Sequence, residues 1–303
     1  MYVTQNVRGI IFFLGLTLNT VFWFIPITIL ALIKILLPIL IVKRTTAKIL
    51  TKIGENWISV NSLLIKYASA VNIDCNGNES LKPDGWYFVM ANHQTWVDIL
   101  ILQMIFNRKI PFLKFFIKQE LKWFPLLGIA FWALDMPFMK RFSPSYLSKN
   151  PHMKGKDLEM TKQACSRFSD DPTSVVNFLE GTRFSKLKHT SKKSPYKNLL
   201  QPKAGGLAIT LASMGSLFNS LVDVTIVYTT STISFWDLCC GRKIHVIVNI
   251  QERAPEGWLT NNNYANDRTF RKNLHLWLGN VWREKDMNME KISKHYKDKY
   301  NNF

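Results

Sequence analysis

Apolar positions along this chain follow more than one rhythm. From Gly9 to Val42 (GIIFFLGLTLNTVFWFIPITILALIKILLPILIV) they are nearly continuous, and Lys34 is the one charge. At about 1.5 Å per residue the run makes a helix of roughly 50 Å, against a bilayer core of ~30 Å. It is too long for the apolar region of a signal peptide and carries no small-residue cleavage site. A helix apolar on every face belongs in lipid more readily than on a soluble domain. Pro26 and Pro38 each remove a backbone donor, so one tilted span and a pair of shorter helices both satisfy the pattern. Residues 1–45 are therefore expected to anchor the protein to a membrane, as a helix or helical hairpin, and residues 46–303 to form the domain they hold.

Beyond the anchor the period changes. ILTKIGENWISVNSLLIKYASA (49–70) spaces its apolar residues as an amphipathic helix does. Short apolar runs then alternate with helical stretches. WYFVM (86–90), SVVNFL (174–179), VDVTIVYT (222–229) and KIHVIVNI (243–250) predict strands. WVDILILQMIF (96–106), DLEMTKQACSRFSD (157–170) and GGLAITLASMG (205–215) predict helices. FPLLGIAFWALDMPF (124–138) comes closest to a second span, but Pro125, Asp135 and Pro137 interrupt it. It reads as a surface-dipping segment or a buried strand at IAFWAL (129–134). The tail EKISKHYKDKYNNF is polar and is expected to fray or lie on the surface. No internal repeat is visible. The alternation predicts an α/β domain with a mixed, mostly parallel sheet flanked by helices.

Charge narrows the partners. Lys and Arg number 39 against 21 Asp and Glu, a net charge of +18. Such a surface attracts polyanions: nucleic acid, an anionic bilayer, or phosphorylated substrates. No recognition-helix or RNA-binding signature accompanies the charge, and the anchor argues against a nucleic-acid partner. Arg8 alone precedes the apolar run, whereas Lys43, Arg44, Lys48 and Lys52 follow it. The positive-inside rule then puts the domain on the cytoplasmic face. Cys75, Cys165, Cys239 and Cys240 form no CxxC and no zinc-caging spacing, so free thiols in a reducing compartment and no metal site are expected.

The candidate chemistry sits at ANHQTWVDILIL (91–102). Thr95-Trp-Val-Asp98 fits a capping box ahead of an apolar run, which would leave His93 without a task. The same residues fit a proton-transfer pair. His93 follows a predicted strand, and Asp98 in the first helical turn can accept from one ring nitrogen and make the other a base near neutral pH. The motif alone leaves both readings open. Three later stretches favour the second. NFLEGTRF (177–184) offers Glu180, Gly181, Thr182 and Arg183 in a turn after a strand, FMKR (138–141) adds Lys140 and Arg141, and LLQPKAGG (199–206) opens a helix with Lys203. Each is a place where an anion is held by a guanidinium, an ammonium or a helix N-terminus. Together they describe one base among several anion holders.

The order NHx4D, Phe-x-x-Arg, FxEGTR and a Pro-containing block before a Gly pair resembles the glycerolipid acyltransferase superfamily, the lysophosphatidic acid acyltransferases and their relatives. It covers about residues 86–210. SPYKNLLQPKAGG (194–206) looks most like the branch of bacterial acyltransferases related to the lysocardiolipin and lysophosphatidylinositol enzymes. Its fourth block departs from the common Val/Ile-Pro pattern and reads Gln201-Pro202-Lys203. The resemblance implies acyl transfer from acyl-CoA or acyl-carrier protein, with no cofactor, to a lysophospholipid hydroxyl. The acceptor it implies is 1-acylglycerol-3-phosphate or a lysophosphatidylglycerol, lysocardiolipin or lysophosphatidylinositol type. It casts His93 as base and Asp98 as its orienting partner. Arg183 becomes the phosphate ligand, and Asn92, Lys140, Arg141, Glu180, Gly181, Thr182 and Lys203 complete the substrate site. Lys118 and Lys122 touch phosphate or interfacial lipid, or are solvated. The basic loop KLKHTSKKSPYK (186–197) lies against anionic lipid or CoA phosphates, and the expected location is a bacterial inner membrane. A non-catalytic basic membrane-binding protein would share the anchor and the charge, but would leave the NHx4D and EGTR blocks unexplained.

Overall fold

A computed structural model describes residues 2–124, 127–139, 149–150, 159, 171–229, 233–260 and 267–300. The helix expected at 157–170, the cations Lys140 and Arg141, and Cys165 lie outside them.

The apolar N-terminus forms one helix, α1 (Tyr2–Leu36), which runs through Pro26 and ends before the 37–39 break that holds Pro38. From Val3 to Leu36 it is long and apolar enough to cross a membrane. Helix α2 (Leu40–Ala68) folds back along it. Polar pairs set the antiparallel register: Arg8 donates to the Ala68 carbonyl (2.9 Å), and Asn19 to the Trp57 carbonyl (3.2 Å) and Asn61 Oδ1 (2.8 Å). Ile27 and Ala31, just past Pro26, are buried with Leu50, Ile58, Phe112 and Ala133, so packing keeps α1 helical through the missing hydrogen bond.

The sheet is built from β1 (Val71–Asn76), β2 (Tyr87–Ala91), β3 (Leu113–Phe115), β6 (Ser174–Phe178), β7 (Ser220–Tyr228) and β8 (Ile244–Arg253). The six strands lie in the order β1-β8-β7-β2-β6-β3. All pairs are parallel except β7 with β8, which is the mixed, mostly parallel sheet that the alternation predicts. A two-stranded ribbon, β4 (Ile117–Lys118) and β5 (Phe138–Met139), stands apart.

Every residue of β2 is buried, because the strand is covered on both faces. Tyr87, Val89 and Ala91 join one core with α3 (Val97–Phe106), Ile65 of α2, and Phe12 and Leu16 of α1. Phe88 and Met90 join the other, under α6 (Ala204–Met214) and α9 (Arg268–Tyr300). The remaining short helices are α4 (Leu127–Ala133), α5 (Lys186–Ser191), α7 (Phe235–Cys239) and α8 (Gly257–Thr260).

One expectation is corrected. IAFWAL is not a strand: its apolar residues lie in and just beyond α4, which buries Gly128 and Ala133 and packs on α1. A six-residue apolar run has no period that separates helix from strand. A Cβ at Gly128 would stand 2.1 Å from the Lys122 carbonyl, so the helix needs glycine there to lie against the 3₁₀ turn Gln119–Trp123. Of the two outcomes expected for the tail, fraying or lying on the surface, its described residues show the second. It continues α9 to Tyr300, held by the Lys197–Glu290 ion pair (2.6 Å) and by the Tyr296 ring 4.9 Å from His245.

Candidate active site

β2 has β6 on one side and β7 on the other, with Ala91 opposite both Phe178 and Val224. The chain leaves all three strands at one edge, where an open α/β sheet has backbone groups to spare. Asn92 is the first residue past β2, and it is buried. Its amide donates to the Ile226 carbonyl (2.9 Å) and accepts from the Ile226 N–H (2.8 Å). Asn92, expected to bind substrate, instead extends the ladder to β7 with side-chain atoms.

His93 and Asp98 are together. Asp98 is fully buried, and its Oδ2 lies 2.8 Å from Nδ1 of His93. The same oxygen accepts from the backbone N–H of Gln94 (2.6 Å) and Thr95 (2.9 Å), and Oδ1 accepts from the Tyr228 hydroxyl (2.7 Å). Four donors around one carboxylate leave it no freedom to turn. The His93 ring is stacked on Phe178, centroids 4.0 Å apart at 16°, so its plane is fixed as well. With Nδ1 occupied, Nε2 is the nitrogen available for proton transfer.

The two readings of the motif therefore merge. Asp98 does return a bond to Thr95, as in a capping box, yet Thr95 Oγ1 takes only the Val97 N–H at 3.4 Å. The carboxylate that finishes the helix start is the one that holds the imidazole. Burial and the Asp98 carboxylate push the Tyr228 phenol well above its ordinary range, so it remains a donor at any working pH. Tyr228 lies outside every motif block and nothing in the sequence pattern pointed to it, whereas Phe178 is the Phe of FxEGTR, a position to which the pattern alone gave no role.

Glu180 is buried and bridges two backbones rather than facing solvent. It accepts from the N–H of His93 (2.9 Å) and of Leu200 (2.9 Å). Burial raises its carboxyl to about 7, with the two amides and Lys285 pulling the other way. Gly181 turns the chain at φ +67°, a left-handed value that suits glycine. Beyond it Phe184 donates to the His93 carbonyl (2.7 Å), tying the EGTR turn to the histidine loop. The exposed Arg183 guanidinium stands 4.7 Å over the Trp96 ring, a cation–π placement, and no carboxylate pairs with it among the described residues. Thr182 accepts from Lys188 Nζ (2.8 Å), which also donates to the Arg183 carbonyl (3.0 Å). Lys203 is exposed at the start of α6, and its N–H donates to the Leu179 carbonyl (2.7 Å). The structure thus brings His93, Asp98, Glu180, Thr182 and Arg183 around one edge, with Lys188 beside them.

A family model described as acyltransferase matches residues 72–229, more than half of the chain and every residue of this edge. The chain belongs to the acyltransferase family. Its relatives in sequence carry the names of 1-acyl-sn-glycerol-3-phosphate acyltransferases. It is 29% identical over 153 residues to the 1-acyl-sn-glycerol-3-phosphate acyltransferase epsilon of Mus musculus, covering 46% of this chain and 39% of the mouse protein. A probable 1-acyl-sn-glycerol-3-phosphate acyltransferase 5 of Arabidopsis thaliana is 26% identical over an alignment of 316 positions, covering 94% of this chain and 78% of that protein. The matched region thus spans well under half of the mouse enzyme's length. In fold the acyltransferase is similar to the 1-acyl-sn-glycerophosphate acyltransferase PlsC of Thermotoga maritima, with a TM-score of 0.54 at 16% identity over 95% of this chain and 97% of that one.

Proposed function

We propose that the protein moves a fatty acyl group from a thioester, acyl-CoA or acyl-carrier protein, to the free hydroxyl of a lysophospholipid, with 1-acylglycerol-3-phosphate as acceptor and phosphatidic acid as product. The observation that carries this reading is the immobilised Asp98 behind His93 at the edge where β2 and β6 end. No serine or cysteine hydrogen-bonds the ring among the described residues, so the acceptor supplies the nucleophile. Nε2 of His93 takes the hydroxyl proton as the oxygen forms its bond to the thioester carbonyl. The C–S bond then breaks, and the proton goes to the departing thiolate. Asp98 stabilises the imidazolium between these steps. A positioned base contributes ~10²–10⁴ in rate, and the remainder comes from orientation and from stabilising the oxyanion.

Arg183, held over Trp96 and with no carboxylate paired to it among the described residues, is the ligand for the acceptor's phosphate, and Lys188 adds charge beside it. A planar fork makes this contact geometric, so Arg183→Lys is expected to raise the KM for the lysophospholipid ~10-fold with kcat less affected. A phosphate-free acceptor such as monoacylglycerol should be used as poorly as before. Equal losses on both acceptors would assign Arg183 to the fold or to the thioester. Tyr228→Phe removes one donor from Asp98, a charge-assisted hydrogen bond worth about 1.5–3 kcal/mol of stability, and is expected to slow turnover several-fold, because the two backbone amides still hold the carboxylate. An unchanged kcat would reduce Tyr228 to packing.

The lysolipid lies in a bilayer, and α1 is the element that meets it. Ile11, Leu14, Leu18, Phe22, Ile25, Ile29, Leu32 and Ile35 make an exposed apolar stripe along its length. Both ends of this helix of ~50 Å touch the domain: Gly9 abuts Trp236 of α7, and Lys34 pairs with Asp135 after α4 (2.8 Å). A helix tied at both ends cannot carry one of them across a membrane alone. These contacts support a hairpin that lies in one leaflet by its apolar stripe, rather than a single span. The basic face, with Lys43, Arg44, Lys48 and Lys52 on α2, faces anionic headgroups at ~1 kcal/mol per cation near the surface. Release of free thiol on incubating the purified protein with acyl-CoA and a panel of lysophospholipids tests the whole reading. No thiol release with any of them would overturn it.

A further inference from the structure

Helix α9 lies beyond the residues matched by the family model, yet one of its turns reaches the histidine loop through an unbroken series of contacts. Trp282 and Lys285 are buried, although α9 as a whole is polar. Trp282 Nε1 donates to the Leu200 carbonyl (3.1 Å), and Asp286 accepts from the N–H of Lys197 and of Asn198 (2.8 Å each). The turn therefore grips the 197–200 segment at three points. From there the Leu200 N–H passes to Glu180, and the other Glu180 oxygen holds the His93 N–H.

Lys285 is the unexpected member. Its Nζ donates to the Val224 carbonyl (2.5 Å) and pairs with Asp223 (2.6 Å), whose other oxygen meets Arg253 (3.2 Å). Val224 is the residue opposite Ala91, the last residue of β2 before Asn92 and His93. A fully buried ammonium is expensive, and apolar side chains of similar volume usually serve a core better. The charge has something to act on. Among the described residues Lys285 from α9 favours the ionised form of Glu180, and Asp98 opposes it.

We propose that the Trp282–Asp286 turn is part of the active-site scaffold, and that Lys285 is a positioning residue that braces Val224 opposite the end of β2 and acts together with Glu180 to hold the His93 loop. An ionised Glu180 accepts fully from both amides. A protonated one has given an oxygen to its own proton and grips less. Lys285 extends the ionised form to lower pH, and the series Asp286, Leu200, Glu180, His93 sets where the imidazole stands. The inference rests on His93 as the base.

The test uses the full chain in detergent micelles, with acyl-CoA and lysophosphatidic acid, for Lys285→Met, Glu180→Gln, the double variant and His93→Ala. Lys285→Met is expected to lower kcat at neutral pH by ~10-fold with both KM values nearly unchanged. The acid limb of its pH–rate profile should move up by about one unit, because the carboxyl has lost an opposite charge, and activity should partly recover in alkaline buffer. On the residual activity of Glu180→Gln, adding Lys285→Met should change neither kcat nor the acid limb, since coupled residues fail to add. An unmoved acid limb, or the same loss in both backgrounds, overturns the inference and leaves Lys285 a stability residue. Should Lys285→Met not fold, Asp286→Ala carries the test by freeing Lys197 and Asn198 at the rim. Slower turnover in the native background and none further in Glu180→Gln supports the series, and equal losses overturn it. His93→Ala separates the two levels: if it keeps native turnover, the base assignment itself falls, whatever Lys285 does.

Discussion

Replacing His93 with alanine is expected to lower turnover by ~10² or more while the protein still folds. The ring is stacked on Phe178 and joined to Asp98, but it sits at the sheet edge with part of its surface open, so its loss leaves a notch rather than a void in the core. Asp98→Asn has a different expected outcome, because the fully buried carboxylate accepts from two backbone amides, a phenol and the imidazole. An amide in its place turns an N–H toward one of these donors and leaves a buried group unsatisfied, at a cost of about 1–3 kcal/mol. Turnover and stability should therefore both fall in Asp98→Asn, whereas His93→Ala loses turnover with a small change in melting temperature. The check is thioester cleavage followed with a thiol dye, beside thermal melts in the same detergent. A well-folded His93→Ala protein with near-native cleavage would remove the imidazole from the mechanism.

Deleting residues 1–36 is expected to destroy the fold rather than to free a soluble enzyme. A simple tether could be cut without harm, and the sequence pattern by itself suggests such a tether. In the structure α1 places Phe12 and Leu16 in the core shared with β2 and α3, and Ile27 and Ala31 in the cluster shared with α2 and α4. Burying a large apolar side chain contributes about 1.5–3 kcal/mol, against a net stability of about 5–15 kcal/mol for a whole domain. The deletion also strands the Ala68 carbonyl that Arg8 caps and the Asp135 carboxylate that Lys34 neutralises. Limited proteolysis and thermal melting of the truncated chain in micelles should show a destabilised, protease-sensitive protein. A truncated chain that melts like the native one and still acylates lysolipid would make α1 a tether after all. Milder variants separate the two roles of the helix. Charged residues at Leu18 and Phe22, on the exposed stripe, should weaken vesicle binding and leave activity in micelles intact.

The sequence alone determined what depends on neighbours along the chain. The central strands and the helices α3 and α6 follow from local period and composition, and the structure has them within a few residues of their predicted bounds. His93 and Asp98 were legible for the same reason. Five residues across a strand–helix junction is a local distance, so no fold is needed to bring them together. The tertiary structure decided everything that crosses the sheet. Tyr228 reaches Asp98, Phe178 stacks on His93, Asn92 turns inward to Ile226, and Glu180 faces two amides instead of solvent. Each depends on which strands are neighbours and in what register, and a strand buried on both faces carries no alternation from which to read either. The apolar segment at 127–133 and the polar tail were undetermined for a related reason. A short greasy run becomes helix or strand according to the surface it meets, and a polar helix is held in place by the stripe it buries, here Leu274, Leu278, Val281, Trp282 and Lys285 among others.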